Sequence, residues 1–247
     1  MKLLKAMAIA FSIYSKIPVP QFEWKEEDME YMMCFFPWIG GVIGLFFFGW
    51  AVLCEKFAVG NVCYALIGAA IPLMISGGFH VDGYMDTMDA FHSYQSREKK
   101  LEILKDSHIG AFAAIMLALY YMIDIAAISE IHTQKAVSAL AAVFFLARCF
   151  SGIAVMTLQP AKKEGLLYTF ASSAQKVRVK AALYFQAALC VVLMLLVSGW
   201  YGAAAIGAAL LSFFYFKKKS YKELGGITGD TAGFFVTVCE AAAAAAV

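Results

Sequence analysis

The chain has 247 residues, of which 62% are apolar and only 15% are charged. So few charged side chains cannot cover the surface of a soluble globule of this size, so the composition excludes a protein whose main solvent is water. The formal net charge is only +2, and the sequence contains no basic array of the kind that binds nucleic acid.

The first segment is a short apolar run that carries Lys2, Lys5, Ser12 and Lys16. On a helix, which advances about 100° per residue, these four polar side chains fall within one narrow stripe. A helix with one such stripe and an otherwise apolar surface lies in the interface of a membrane. The pattern therefore predicts an interfacial helix at the N-terminal end.

Seven apolar segments follow, each long enough to cross or nearly cross a bilayer, for which about 20 residues are needed. They comprise residues 31–53, 62–79, 109–128, 136–158, 181–197, 202–216 and 231–247. The last segment is short and rich in alanine, so it is also compatible with a tilted or re-entrant helix packed against its neighbours. We predict an all-α, polytopic integral membrane bundle that forms one domain over residues 1–247.

The basic residues concentrate in alternate connections between these segments. With the N-terminus in the cytoplasm, 17 of the 20 basic residues lie on the cytoplasmic side. They occur in residues 2–25, 97–105, 162–180 and 217–222. By the positive-inside rule this distribution predicts a multi-pass protein of the cytoplasmic (inner) membrane. We expect cytoplasmic loops 80–108, 160–180 and 217–230 to form the active face.

An acidic cluster opens the longest polar segment. Asp82, Asp86 and Asp89 have the spacing i, i+4, i+7, which on a helix gathers three carboxylates within about 60° of arc. Close carboxylates repel one another, and Mg²⁺ relieves this by accepting a few carboxylate oxygens while bridging to substrate phosphates. The cluster is therefore either a metal site for phosphoryl transfer or a solvated acidic helix face, neutralised by basic residues such as Arg97 and Lys99.

Two further motifs precede apolar segments. Lys105-Asp106-Ser107 comes before the third segment, where free N–H groups at a helix start could hold a phosphate. The turn from Gly225 to Thr231 is rich in glycine, which lets backbone amides approach a phosphate or sugar ligand. Each motif also fits an ordinary helix start, with Asp106, Ser107 or Asp230 as the cap.

Arg148 lies well inside an apolar segment. A guanidinium at this depth is costly unless it faces a protein interior, a partner or an aqueous cavity. Anion binding is one interpretation, and a structural pair with Asp124 on the preceding segment is the other. Lys162 could meet either a substrate phosphate or an anionic lipid headgroup.

Taken together, the motifs resemble those of the cobalamin synthase (adenosylcobinamide-GDP ribazoletransferase) family. The resemblance rests on five motifs. They are residues 15–20, residues 77–83 with Asp86 and Asp89, residues 105–107 with Gly110, residues 162–166, and residues 225–226 with 228–231. These motifs stand in the order seen in the family, and they extend over nearly the whole chain.

The resemblance implies the last step in the assembly of the cobalamin nucleotide loop. In that step α-ribazole, or its 5′-phosphate, is joined to adenosylcobinamide-GDP, which releases GMP and forms adenosylcobalamin or its 5′-phosphate. It also implies Mg²⁺ as cofactor, with Asp82, Asp86 and Asp89 as catalytic and metal-binding residues. The substrate-binding residues that it implies are His80, Lys105, Asp106, Ser107, Arg148, Lys162, Gly225, Gly226, Thr228, Gly229, Asp230 and Thr231.

Two other functions stay open at this point. One is a different Mg²⁺-dependent membrane phosphotransferase or prenyltransferase, although the fuller aspartate signatures of those enzymes are absent from the sequence. The other is a membrane transporter, in which Arg148 and Asp124 would be the working charges. The sequence is also compatible with a homo-oligomer.

Overall fold

The structure is a computed structural model that describes residues 2–20, 23–162 and 165–247. The helices in these residues are α1 (Lys2–Tyr14), α2 (Phe36–Lys56), α3 (Asn61–Ser76), α4 (Phe79–His92), α5 (Arg97–Ile103), α6 (Ala111–Ser129), α7 (Gln134–Thr157), α8 (Leu166–Ser173), α9 (Lys176–Ser198), α10 (Trp200–Leu224) and α11 (Gly229–Ala246). Two short 3-10 turns, Glu26–Met29 and Met32–Cys34, lead from α1 to α2. The predicted all-α class is confirmed.

Four of these helices, α2, α6, α7 and α9, are long and apolar enough to cross a membrane. Helices α3 and α4 meet the same test only as a pair, and the pair is bent by 98°. The protein is therefore a multi-pass membrane protein with four candidate spans in the described residues, or five if the bent pair is counted. Of the seven apolar segments, which were expected to cross or nearly cross a bilayer, these are the ones that meet the test for a span in the described residues.

The last apolar segment forms α11, which is packed against its neighbours, one of the alternatives compatible with its sequence. Helix α11 packs against α4, α6, α7 and α10, and most of its residues are buried. Most of its alanines are therefore covered by protein, which suits small residues because they allow backbones to approach closely. Apolar character in this segment reflects helix packing in the centre of the bundle.

A double glycine causes the bend between α3 and α4. Gly77 and Gly78 have φ angles of +69° and +86°, in the left-handed region that favours glycine. The Gly77 N–H donates to the Leu73 carbonyl at 2.9 Å, which closes the last turn of α3. Helix α4 then begins at Phe79 in a new direction, and we treat it as lying outside the four candidate spans.

The three predicted cytoplasmic loops are largely helical. Residues 80–108 contain most of α4 and all of α5, residues 160–180 contain α8 and the start of α9, and residues 217–230 contain the end of α10. These segments have too many polar residues to be spans, yet α4 buries one face against α11. Burial of that face stabilises a helix where polarity alone suggested a loop.

Helix α7 forms the frame that supports α11. It packs against α2, α9, α10 and α11, and 78% of its most apolar stretch is buried. A Cβ atom added to Gly40 of α2 would stand 2.0 Å from the Phe144 carbonyl oxygen, and one added to Gly44 would stand 2.1 Å from the Ala141 oxygen. The two backbones therefore touch, as small residues allow in membrane helix pairs.

Candidate active site

Helices α4 and α11 cross with their backbones in contact. A Cβ atom added to Gly83 of α4 would stand 2.8 Å from the carbonyl oxygen of Asp230 on α11. One added to Gly233 would stand 3.1 Å from the carbonyl oxygen of His80. This crossing brings two motifs that lie far apart in the sequence, the acidic cluster and the glycine-rich turn, to one place.

A cavity of about 450 Å³ opens beside the crossing. Asp82, Lys105 and Gly229 line it and are exposed, so they mark its mouth. Tyr14 and Phe36 also line it and are buried, so they mark its interior. The cavity therefore combines a polar mouth with an aromatic interior.

Carboxylates of α4 and of the start of α11 meet at the mouth, where two lysines also line the cavity. Burial raises the pKa of the Asp86 carboxyl to about 7, and the negative charges of Asp82, Asp230 and Asp89 add to the shift. The pKa of Asp230 is also raised by burial, although its own backbone N–H, the Thr228 hydroxyl and the charge of Lys162 oppose the change. Carboxylates crowded in this way are stabilised by a bound cation.

Asp89 does not share the site with the other two aspartates. Its carboxylate accepts hydrogen bonds from the backbone N–H groups of Gly110, at 2.6 Å, and Ala113, at 2.9 Å. It therefore caps α6 from another helix, a role that the sequence analysis assigned to Asp106 or Ser107. Asp106 instead accepts a hydrogen bond from the backbone N–H of His108 through its Oδ1, at 3.0 Å. The Nδ1 atom of the His108 ring lies 2.6 Å from the same oxygen.

No group of three or more His, Cys, Asp or Glu side chains in the described residues is arranged to hold a metal ion. The three-aspartate arrangement expected from spacing is thus not formed, because Asp89 turns to α6. Mg²⁺ needs fewer protein ligands, since one or two carboxylates with waters and substrate phosphates commonly hold it. Asp82 and Asp86, one turn apart on α4, fit that requirement, and the charge of Asp82 contributes to the raised pKa of Asp86.

The glycine-rich turn is fixed to the segment that follows α7. The Ile227 N–H donates to the Gln159 carbonyl at 3.0 Å, and the Ala161 N–H donates to the Ile227 carbonyl at 2.8 Å. A Cβ atom on Gly226 would stand 2.6 Å from the Gln159 oxygen, so only glycine fits there. Gly225 ends α10 with a φ of +71°. These two glycines shape the turn and do not line the cavity.

The start of α11 is closed by a reciprocal cap. The Thr228 hydroxyl accepts from the Thr231 N–H at 3.1 Å, and the Thr231 hydroxyl accepts from the Thr228 N–H at 2.8 Å. Thr228 is therefore the N-cap, where the sequence analysis had considered Asp230. The cap leaves the Asp230 side chain at the cavity, whereas Thr231 is fully buried.

Arg148 is paired inside the bundle. Its Nη1 donates to the Glu240 carboxylate of α11 at 2.7 Å and to the Phe144 carbonyl at 2.7 Å. Its side chain is 1% exposed. The sequence analysis considered a structural pair between Arg148 and Asp124. The partner named there is wrong, because Arg148 pairs with Glu240. Glu240 was the missed residue, and the available signal was a lone acid in an alanine-rich segment.

The structure therefore divides the predicted site residues into two sets. Those that line the cavity are His80, Asp82, Lys105, Lys162, Thr228, Gly229 and Asp230. Those that do not line it are Asp86, Asp89, Asp106, Ser107, Arg148, Gly225, Gly226 and Thr231. Asp86 differs from the rest of the second set, because its charge interacts with Asp82 and Asp230 at the mouth.

Sequence reasoning missed the aromatic interior and one supporting contact. Tyr14, Phe36 and Phe170 belong to three distant segments that carried no motif. The supporting contact is a salt bridge between Lys100 of α5 and Glu223 of α10. That bridge ties the helix preceding Lys105 to the end of α10.

These features define a class: a helical, multi-pass membrane protein whose cavity joins clustered carboxylates and lysines to an aromatic interior. The class is narrowed by comparison with known proteins. Residues 6–247 match the family model described as cobalamin-5-phosphate synthase. The chain belongs to this family.

Relatives agree with that assignment. The chain is 44% identical over 247 residues to an adenosylcobinamide-GDP ribazoletransferase of Lachnoclostridium phytofermentans, with 100% of this chain and 94% of the relative covered. It is 31% identical to the protein of the same name from Clostridium botulinum strain Alaska E43, with 96% and 94% covered. It is 30% identical to the protein of the same name from Azorhizobium caulinodans, with 98% of this chain and 94% of the relative covered. No solved structure matches the chain.

Proposed function

We propose that the protein is an adenosylcobinamide-GDP ribazoletransferase, which joins α-ribazole or its 5′-phosphate to adenosylcobinamide-GDP and releases GMP. Family membership and the names of the relatives support this activity. The structural observation that carries it is the contact of Gly83 with Asp230, because it places carboxylates of α4 and α11 at one cavity mouth. Lys105 and Lys162 line the same cavity.

The reaction needs no protein nucleophile. A hydroxyl oxygen of ribazole forms a bond to the phosphorus that carries cobinamide. The bond from this phosphorus to the bridging oxygen of GMP breaks, and GMP leaves with the electron pair. The hydroxyl proton passes to a carboxylate of α4. Positioning and charge stabilisation supply most of the catalysis in such phosphoryl transfers.

The charges at the mouth suit a diphosphate ester. Mg²⁺, which Asp82 and Asp86 would hold, supplies neutralisation of the diphosphate when it is bound. Lys105 and Lys162 bring further positive charge to the same place, where it stabilises the charge that develops on the leaving phosphate. Asp230 accepts a hydrogen bond from the Thr228 hydroxyl at 3.3 Å, which holds its carboxylate at the mouth.

We further propose that the cavity opens to the cytoplasm from the inner membrane. Two of the residues that line it, Lys105 and Lys162, belong to the basic connections that the positive-inside rule assigns to the cytoplasm. Helix α5, which precedes Lys105, is joined to the lysine-rich end of α10 through Lys100 and Glu223. The cavity and the basic residues thus share one end of the bundle.

A direct assay tests this function. The purified protein in nanodiscs is incubated with adenosylcobinamide-GDP, Mg²⁺ and either α-ribazole or its 5′-phosphate. We expect equal amounts of GMP and of the cobalamin product by mass spectrometry, and no product after addition of a chelator. Absence of product from both acceptors, with a folded protein, contradicts the proposal; turnover that survives the chelator contradicts the role of Mg²⁺.

A further inference from the structure

His80 lies in the buried part of the cavity. It lines the cavity and is 5% exposed. Within the part of the chain that the structure describes, neither Nδ1 nor Nε2 has a hydrogen-bond partner. Buried polar groups are nearly always paired, because an unpaired one loses its hydration without compensation. This imidazole is therefore placed to meet a group that enters the cavity.

Aromatic rings surround the imidazole. Its ring centroid lies 6.1 Å from that of Tyr14, 5.6 Å from that of Phe36 and 5.7 Å from that of Phe79. Phe170 of α8 extends the same group through Tyr14, at 6.3 Å. These rings come from α1, α2, α4 and α8, so four segments converge on one chamber. Flat apolar walls with a single imidazole favour a flat heteroaromatic ligand.

We infer that this chamber binds the benzimidazole base of the ribazole substrate, with the imidazole of His80 donating a hydrogen bond to the unsubstituted ring nitrogen of the base. The inference rests on the proposed function and adds to it the part of the substrate that enters the interior. The ribose then points to the mouth, where the hydroxyl meets Asp82 and Asp230. Lys105 and Lys162 there face the diphosphate of the second substrate.

The imidazole of His80 has the groups that this pairing needs. A neutral imidazole has one N–H donor and one acceptor. It can therefore pair with a neutral ring nitrogen without burying a charge.

Guanine of the GDP group fits the chamber less well. Its edge presents several donors and acceptors, each of which costs free energy if it is buried unpaired. Apart from His80, the buried side chains with polar groups that line the described cavity are those of Tyr14 and Ser151. A benzimidazole presents one acceptor and an otherwise apolar outline, so it leaves fewer groups unsatisfied.

The test compares two ligands that differ by one atom: α-ribazole and the analogue in which C–H replaces the unsubstituted ring nitrogen. Binding of each is measured by calorimetry to purified protein in nanodiscs, without the second substrate. We expect the wild type to prefer α-ribazole by about tenfold or more, the effect of one buried hydrogen bond. His80→Phe should bind the two ligands equally. His80→Gln, which keeps an N–H donor, should retain part of the preference.

His92→Phe is the matched control. His92 lies on the same helix, but its Nδ1 faces the Met88 carbonyl at 2.8 Å and its ring stacks on Phe112, outside the cavity. This variant should keep the full preference. Size-exclusion profiles and unfolding temperatures establish that each variant is folded, and His80→Gln serves if His80→Phe does not fold.

Three results would overturn the inference. The wild type could show no preference for α-ribazole over the analogue, or both His80 variants could keep the full preference. The third result is that His80→Phe binds GDP more weakly than the wild type does but binds α-ribazole equally well. The last result would assign the chamber to guanine. These outcomes are separate from failure of the proposed function, since a wild type that prefers α-ribazole but forms no product would refute the reaction and keep the base site.

Discussion

Gly83 of α4 lies directly against the backbone of Asp230 on α11, with only 2.8 Å between the position of an added Cβ atom and the Asp230 carbonyl oxygen. This contact joins two chain segments that the sequence separates by more than half its length. Because Asp82 and Asp86 flank Gly83, the same contact fixes the distance between the acidic helix and the glycine-rich turn. The geometry of the mouth therefore depends on the absence of a side chain at residue 83.

Gly83→Ala should disturb this mouth. The new methyl group must displace the Asp230 backbone, and overpacking of this kind typically costs about 1–3 kcal/mol. We expect a lower unfolding temperature and a loss of transfer activity, both measured on the purified protein. Gly49→Ala on α2 is the control, because an added Cβ atom there meets nothing within 4 Å. Equal behaviour of the two variants would contradict the close crossing.

Asp89→Ala should act mainly on stability. The carboxylate satisfies two N–H groups at the start of α6, and loss of an N-terminal cap typically costs about 0.5–2 kcal/mol. Thermal unfolding in detergent measures the loss. Asp89→Asn should keep much of the stability, since its amide oxygen can still accept. An unfolding temperature for Asp89→Ala equal to that of the wild type would show that the cap is not formed.

Removing one partner of the buried pair between Arg148 and Glu240 should be severe. Arg148→Met leaves a buried carboxylate without a counter-charge, and breaking such a pair typically costs about 3–5 kcal/mol. The double variant Arg148→Met with Glu240→Gln should recover much of the loss, because no lone charge remains. Unfolding temperatures of the three proteins test this, and a double variant less stable than Arg148→Met would speak against the pair.

The link between Lys100 and Glu223 predicts a pH dependence. A hydrogen bond from Lys100 is the largest effect on Glu223, and with Lys219 it holds the pKa of that carboxyl below its usual value of 4.5 despite partial burial. A lowered pKa gives a stabilisation that is present above about pH 4.5 and disappears as the pH falls through the folded value. Glu223→Gln should therefore be less stable than the wild type at pH 7.

The difference in unfolding temperature between wild type and Glu223→Gln should shrink as the pH is lowered below about 4.5. Glu102→Gln is a suitable control on α5, because Glu102 is exposed and pairs only at the surface with Lys99. A wild-type advantage that does not shrink at any pH below about 4.5 would refute the ionic contribution of Glu223.

The sequence predicted local features well. Residue spacing placed Asp82 and Asp86 on a helix, and glycine content indicated a tight turn before α11. The membrane class followed from hydropathy, which depends only on composition along the chain. The resemblance of ordered motifs to one family was confirmed by the match over residues 6–247.

Pairings between distant segments could not be predicted. Hydropathy does not distinguish a helix covered by lipid from one covered by protein, so both a span and a packed helix were compatible with the last apolar segment, α11. Asp89 had the spacing of a site residue, yet the approach of Gly110 redirected it. The partner of Arg148 and the chamber around His80 depend on which helices pack together. The lone acid Glu240 was a candidate partner, but a single sequence does not show that its helix packs against α7.

The most direct test of the central claim is release of GMP from adenosylcobinamide-GDP by the Asp82→Asn variant, measured with α-ribazole and Mg²⁺ against the wild type and Glu102→Gln. We expect Asp82→Asn to lose about a hundredfold or more in rate, as removal of one charge-stabilising group does in comparable sites, with its unfolding temperature preserved. Glu102→Gln, which removes one negative charge from the nearby surface, should keep the wild-type rate. Wild-type turnover by folded Asp82→Asn would contradict the assignment of the α4–α11 crossing as the site of transfer.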